Sequence, residues 1–134
     1  MAKTNPTSDP TSGRLLTDVE LELMTILWRL GEATVRDVMA EMPSERALAY
    51  TSVSTVIRIL EQKGFVRSRP AGRTHVYGPR LSKTDYESRN LRHLVTGLFE
   101  GKPTTLVRRL VDATPLSRAE LSELRELLEE RLKK

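Results

Sequence analysis

A short motif, the helical capping box, recurs along this chain of 134 residues and divides it into helical segments. In this motif a Ser or Thr begins a helix, and an acidic residue three positions later hydrogen-bonds back to it. Apolar residues at helical spacing follow each box, and Gly or Pro ends most of the stripes. The boxes begin at Thr17, Thr34, Ser82 and Ser117. This pattern predicts a mainly helical protein.

A third helix is expected from about residue 51 to residue 63. Successive residues of a helix advance by about 100°, which brings four apolar residues onto one face. These residues are Val53, Val56, Ile57 and Leu60. The opposite side carries Thr51, Ser54, Thr55, Arg58 and Gln62. Hydroxyl groups and a guanidinium can reach phosphates and base edges in a major groove. A solvated surface cation is the alternative for Arg58.

Two strand-like runs, residues 65–68 and 74–77, flank a segment that contains Pro70 and Gly72. Pro and Gly are typical turn residues, so these runs predict a β-hairpin. Three helices followed by a hairpin is the element order of a winged helix-turn-helix, with the hairpin as the wing. The expected fold class is therefore mainly α with a small β-hairpin, an N-terminal winged helix-turn-helix plus a C-terminal helical dimerisation domain.

The positive charge is concentrated around the predicted wing. The net charge of the chain is +4, but residues 58–80 hold six basic residues against the single acid Glu61, which gives this window +5. A basic patch is the electrostatic footprint of a phosphate-binding surface, although a solvated charge run has the same composition. Arg69 and Arg73, with His75 close by, are the predicted contacts of the wing with DNA.

Three domains are expected along the chain. Residues 1–13 predict a disordered N-terminal arm, residues 14–80 a winged helix-turn-helix DNA-binding domain, and residues 81–134 a helical dimerisation domain. The helices of the last segment have apolar stripes but few large residues, which favours pairing with a second copy; packing back on the winged helix is the alternative. The expected interface residues are Leu94, Leu98, Leu121, Leu124 and Leu128.

Several classes of protein are disfavoured by what the sequence lacks. There is no cysteine, and the two histidines, His75 and His93, fall in separate modules, so we expect no metal and no cofactor. No phosphate loop, nucleophile elbow or His–carboxylate pair suggests an enzyme. Without a secretory h-region or a run of about 20 apolar residues, the expected location is cytoplasmic. A protein-binding winged helix and a ligand-responsive regulator of another winged-helix family are the alternatives.

The chain resembles the BlaI/MecI/CopY family, the penicillinase-repressor-type transcriptional regulators. The resemblance covers about residues 15–132 and depends on three segments in order: the opening helix, the third helix with the start of the wing, and the last helices. The matching residues are 16–24 with 26–28, then 49–60 with 63–66, and finally Leu106, Val107, Leu116, Ser117, Leu121, Leu124, Leu127 and Leu128.

The resemblance implies a homodimeric repressor that occupies a palindromic operator of double-stranded DNA, with TACA/TGTA-type dyads as the expectation. Residues Thr51, Ser52, Ser54, Thr55 and Arg58 match the recognition-helix segment of the family. Ser52 enters the predicted site through this match, as a first-turn cap or phosphate contact. The other four were already identified from the exposed face of the helix.

Two departures from the family pattern concern the release of repression. The copper-responsive relatives bind metal through a C-terminal cysteine cluster, so a chain without cysteine cannot sense copper through thiolates. The β-lactam-responsive relatives are cleaved between an Asn and a Phe, and here Arg109-Leu110 stands at that position. The inducing signal, and any antirepressor protease or receptor, are not identified by the sequence.

Overall fold

The computed structural model describes residues 15–46 and 48–134; the predicted arm, residues 1–13, lies outside them. Helices and one antiparallel hairpin make up the described chain, as the fold class predicted. The helices are α1 (Asp18–Leu30), α2 (Val35–Ala40), α3 (Tyr50–Gln62), α4 (Lys83–Leu98), α5 (Pro103–Ala113) and α6 (Arg118–Leu132), and the strands are β1 (Val66–Ala71) and β2 (Thr74–Pro79).

Four of the six described helices, α1, α2, α4 and α6, begin at the capping boxes. The Thr17 side chain accepts a hydrogen bond from the Glu20 amide at the start of α1, and Glu20 accepts one from the Thr17 amide. The same reciprocal pair is present between Thr34 and Asp37 at α2, and between Ser117 and Glu120 at α6. At α4, the Asp85 amide donates to Ser82 Oγ at 3.0 Å. These local hydrogen bonds satisfy backbone N–H groups that the first turn of a helix leaves without partners.

The hairpin, which we call the wing, is longer than the sequence predicted. The first strand continues past residue 68 to Ala71, and the second continues past residue 77 to Pro79. Because Ala71 pairs with Thr74, the turn contains only Gly72 and Arg73. Gly72 has φ of +65°, a left-handed conformation that glycine adopts without steric cost. Tyr77 of β2 also exchanges two backbone hydrogen bonds with Ala33, in the link between α1 and α2. The wing is thereby fixed to the helical part of the domain.

The core of the first compact unit lies between α1, α2, α3 and the wing. Its fully buried side chains include Leu23, Leu27, Ile57, Leu60 and Phe65. The half-buried Trp28 donates its indole N–H to the Leu81 carbonyl oxygen at 2.8 Å, and its ring packs beside Tyr86. Because Leu81 and Tyr86 are themselves buried in this core, the unit extends to Leu91, beyond the boundary expected after residue 80.

The second compact unit, Arg92–Lys134, contains the end of α4 together with α5 and α6. None of its residues is buried, although each helix carries an apolar stripe. Leu98 is 66% exposed, Leu127 61% and Leu128 60%. Burying a leucine side chain stabilises a protein by about 1.5–3 kcal/mol, so this exposure leaves a large stabilisation unused within the second unit.

A partly buried ion pair joins the start of α1 to the end of α3. Glu20 is 6% exposed, and its Oε2 accepts a hydrogen bond from Lys63 Nζ at 2.7 Å. Burial alone would raise the pKa of Glu20, but the hydrogen bonds from Lys63 and Thr17 outweigh this, and the pKa lies below its usual value. A carboxyl group with a lowered pKa stabilises the folded state above its unfolded pKa, and this contribution is lost as the pH falls through the folded pKa.

We expect Glu20→Gln to lower the free energy of unfolding at pH 7 by about 1–3 kcal/mol, because a buried charge-assisted hydrogen bond is lost. The difference from the unmodified protein should shrink as the pH falls below about 4. Urea titrations at a series of pH values, followed by the fluorescence of the sole tryptophan, Trp28, measure this unit. Glu22→Gln is the control, because Glu22 forms a more exposed pair with Arg46. If both variants lose the same free energy of unfolding, or if the loss for Glu20→Gln does not depend on pH, the Glu20–Lys63 ion pair does not have the proposed stabilising role.

Candidate nucleic-acid interface

The outer face of α3 carries the residues that the sequence singled out. Val53, Ile57 and Leu60 hold the inner face of the helix in the core. On the outer face, Thr51, Ser52, Thr55 and Arg58 are exposed, and Ser54 is half-buried. The face therefore presents hydroxyl groups and one guanidinium from a rigid helix, the chemistry that reads base edges and phosphates.

A groove of about 370 Å³ separates α3 from the wing. Four of the predicted site residues line it: Ser54 and Arg58 from α3, with Arg73 and His75 from the wing. The structure thus brings together residues that are up to 21 positions apart in the chain. Thr51, Ser52 and Thr55 do not line the groove; they belong to the exposed outer face beside it.

The two arginines of the groove have no acidic partner. Among residues 15–46 and 48–134, neither Arg58 nor Arg73 forms an ion pair, and both are exposed. Other cations of the basic window are engaged, since Lys63 pairs with Glu20 and Arg69 pairs with Glu32. Four cations of the window form no ion pair among the described residues, and two of these four line the groove; they are Arg58 and Arg73, whereas Arg67 and Arg80 lie outside it.

Arg69 lies apart from the groove. Side chains alternate between the two faces of a strand, and Ser68, its neighbour, contacts α3. Arg69 instead donates to both oxygens of Glu32, at 3.0 and 3.3 Å. This hydrogen bond and the charge of the guanidinium hold the pKa of Glu32 below its usual value, and the same contact raises the pKa of Arg69. The predicted DNA contact of Arg69 stays a prediction, and it requires this exposed side chain to exchange its partner.

Other residues at the groove were absent from the sequence-based set. Tyr50, the first residue of α3, lines the groove, and the guanidinium of Arg36 lies 5.0 Å from the centre of its ring. Glu61 and Tyr77 also line it. Burial, followed by the negative charge of Glu61, raises the pKa of the Tyr77 hydroxyl. No local pattern links Arg36 to Tyr50, because the contact joins two separate helices.

The five leucines predicted for a dimer interface all lie in the second unit. Leu94, Leu98, Leu121 and Leu128 are exposed, and Leu124 is half-buried. In the described part of the chain, no cluster of His, Asp and Glu could hold a metal ion. The helices of that part include none that is long and apolar enough to cross a membrane.

Comparison with known proteins gives consistent matches over most of the chain. A family model described as penicillinase repressor matches residues 16–130. The penicillinase repressor of Bacillus licheniformis is 25% identical over 115 residues, which cover 86% of this chain and 90% of the relative. The methicillin resistance regulatory protein MecI of Mammaliicoccus sciuri is 24% identical over 113 residues, 84% of this chain and 92% of the relative. Among solved structures, the DNA-binding domain of the repressor BlaI has 27% identity and a TM-score of 0.48, covering 53% of this chain and 87% of that chain.

Proposed function

The chain belongs to the penicillinase repressor family, whose members are DNA-binding transcriptional repressors and not enzymes, and we propose that it represses transcription as a homodimer on a palindromic operator. The observation that carries the proposal is the groove between α3 and the wing, where Arg58 and Arg73 form no ion pair with any described acidic residue. Its site of action is the cytoplasm, and operator DNA is its partner.

The outer face of α3 enters the major groove in this proposal. Thr51, Ser52 and Thr55 contact phosphates or base edges through their hydroxyl groups, and Arg58 reads a base. Arg73 and His75, near the tip of the wing, contact the sugar–phosphate backbone beside the same half-site. The rigid backbone of α3, anchored by buried Val53, Ile57 and Leu60, supports this reading because it fixes the spacing of the contacts.

In this proposal, the dimer forms when the second unit of one copy packs against the second unit of another. Leu94, Leu98, Leu121 and Leu128 are 39–66% exposed, and a monomer cannot remove them from water within that unit. When the apolar stripes of one copy pack against the same stripes of a second copy, they form a symmetric, hydrophobic interface. A dimer also doubles the length of DNA that is read, because each copy contacts one half-site.

Selection of bound sequences from a pool of random duplexes tests the whole proposal. The expected outcome is a dyad whose half-sites lie about one helical turn apart. Enrichment of a single, unpaired half-site would contradict the homodimer, whereas sequence-specific DNA binding would still be supported. Failure to enrich any sequence, with folded protein at physiological salt, would contradict sequence-specific binding itself.

The salt dependence of binding tests the wing. Each phosphate contact contributes about 0.9 to the slope of log K against log salt concentration. We expect Arg73→Ala to reduce the slope by about one per half-site, because the Arg73 guanidinium forms no ion pair among the described residues. Arg69→Ala should reduce it less, because Glu32 already holds Arg69. Fluorescence anisotropy at several salt concentrations gives both slopes. If neither slope changes, the wing does not contact phosphates.

A further inference from the structure

Glu61 is the single acidic residue of the basic window, and the fold puts it inside the groove. It lies on α3, half-buried, and lines the same cavity as Arg58, Arg73 and His75. A carboxylate repels DNA phosphates, so its presence in a surface that binds DNA needs an explanation. A solvated position on the outside of the protein would have avoided this repulsion.

Within the described residues, the carboxylate of Glu61 is held by a hydroxyl group and not by an ion pair. Arg58 lies one helical turn before it, yet the described chain contains no ion pair that involves Glu61. Its Oε2 instead accepts a hydrogen bond from the Ser68 hydroxyl at 2.6 Å. A neutral hydroxyl fixes the position of a carboxylate but leaves its charge in place. The wing therefore holds an unpaired negative charge in the groove.

Such a charge acts differently on the two kinds of DNA complex. A non-specific complex depends almost entirely on phosphate contacts, which a nearby carboxylate weakens. A specific complex also uses base edges, and a carboxylate can accept a hydrogen bond from the amino group of a cytosine. Discrimination between partners often depends on such a repulsive element as well as on attractive contacts.

We propose that Glu61 is a specificity-determining residue, which is held by Ser68 and disfavours DNA that offers only phosphates to the groove between α3 and the wing. The inference rests on the proposed function, because it presupposes that this groove faces DNA. Arg58 and Arg73 supply attraction to any duplex, and Glu61 makes this attraction depend on the sequence. Its effect should therefore be visible as a ratio of affinities.

Glu61→Gln tests the charge while it keeps an oxygen that can accept from Ser68. We expect its affinity for a scrambled duplex to rise by about 3- to 10-fold, the range for removing one nearby charge in a solvated groove. The affinity for the selected operator should rise less or fall, so that the ratio of specific to non-specific affinity decreases. Equal gains on both duplexes, or no change on either, overturn the inference.

Two further variants separate charge at this position from other effects. Glu87→Gln also removes one negative charge, from an exposed residue of α4 that does not line the groove. It should leave the ratio unchanged, and a decrease equal to that of Glu61→Gln overturns the inference. Ser68→Ala removes the hydrogen bond but keeps the carboxylate. The affinity of Ser68→Ala for scrambled DNA should stay as low as that of the unmodified protein. If this affinity instead rises as much as in Glu61→Gln, the position of the wing and not the charge of Glu61 causes the effect, and the inference is overturned.

The unmodified protein distinguishes the two levels of the proposal. If it shows no preference for the selected operator over a scrambled duplex, the proposed function fails. If it shows the preference and Glu61→Gln retains the full ratio, only the role of Glu61 fails. Matched thermal unfolding curves for all variants ensure that the affinities compare folded proteins.

Discussion

Replacing Leu128 with Glu is expected to separate the homodimer into monomers and to lower the affinity for the full dyad by about 10²–10⁴-fold, the gain that linked binding sites usually provide. Leu128 is 60% exposed in one chain, so the substitution leaves the packing of the monomer nearly unchanged. In the dimer the same side chain would lie against a second copy, where an unpaired carboxylate loses its hydration. Sedimentation velocity gives the oligomeric state, and anisotropy gives the operator affinity.

The control variant adds the same charge to the opposite side of the helix. Ala119 is exposed and lies about 180° around α6 from Leu128, since each residue advances by about 100°. Ala119→Glu should remain dimeric and bind the dyad normally. Leu124→Glu should resemble Leu128→Glu, because both residues belong to the apolar stripe. If Leu128→Glu still sediments as a dimer, α6 is not the interface, whereas loss of binding to a single half-site would indicate damage to the DNA-binding unit.

The elements that could be predicted from the sequence are those with local signals. A capping box is complete within four residues, and the reciprocal hydrogen bonds at Thr17, Thr34 and Ser117 are present where the motif indicates them. The outer face of α3 was equally predictable, because helical spacing alone separates Ser54 and Arg58 from the buried Ile57. Membership of the family followed from several such segments in order, and the match over residues 16–130 confirms it.

The features that escaped prediction depend on contacts between distant segments. Leu81 and Tyr86 enter the core of the first unit because the indole N–H of Trp28 and the backbone of Leu16 hydrogen-bond to them. Arg69 is turned towards Glu32, which precedes it by 37 residues. The net charge of residues 58–80 includes Arg69 as if it were a free cation. Its partner Glu32 can be identified only from the three-dimensional structure, because 37 residues separate the two.

Arg58→Ala is expected to weaken operator binding by about 1–3 kcal/mol per half-site, since a guanidinium that reads a base edge bidentately contributes this much discrimination. Arg58 is exposed on α3, lines the groove and forms no ion pair in the part of the chain that the structure describes. The affinity for a scrambled duplex should fall much less, because only the charge attraction is lost there. Titration of both duplexes at one salt concentration measures the difference. Equal losses on the two duplexes would assign Arg58 to the phosphates.

Arg58→Lys separates the geometry of this contact from its charge. Lysine keeps the positive charge but lacks the planar fork that pairs with two acceptors of one guanine. If Arg58 reads a base, the lysine variant should lose a large part of the operator affinity while it retains binding to the scrambled duplex. Repeating the selection with this variant should then relax one position in each half-site and leave the spacing of the dyad unchanged. A lysine variant that selects the unaltered operator with full affinity would show that only the charge of Arg58 matters.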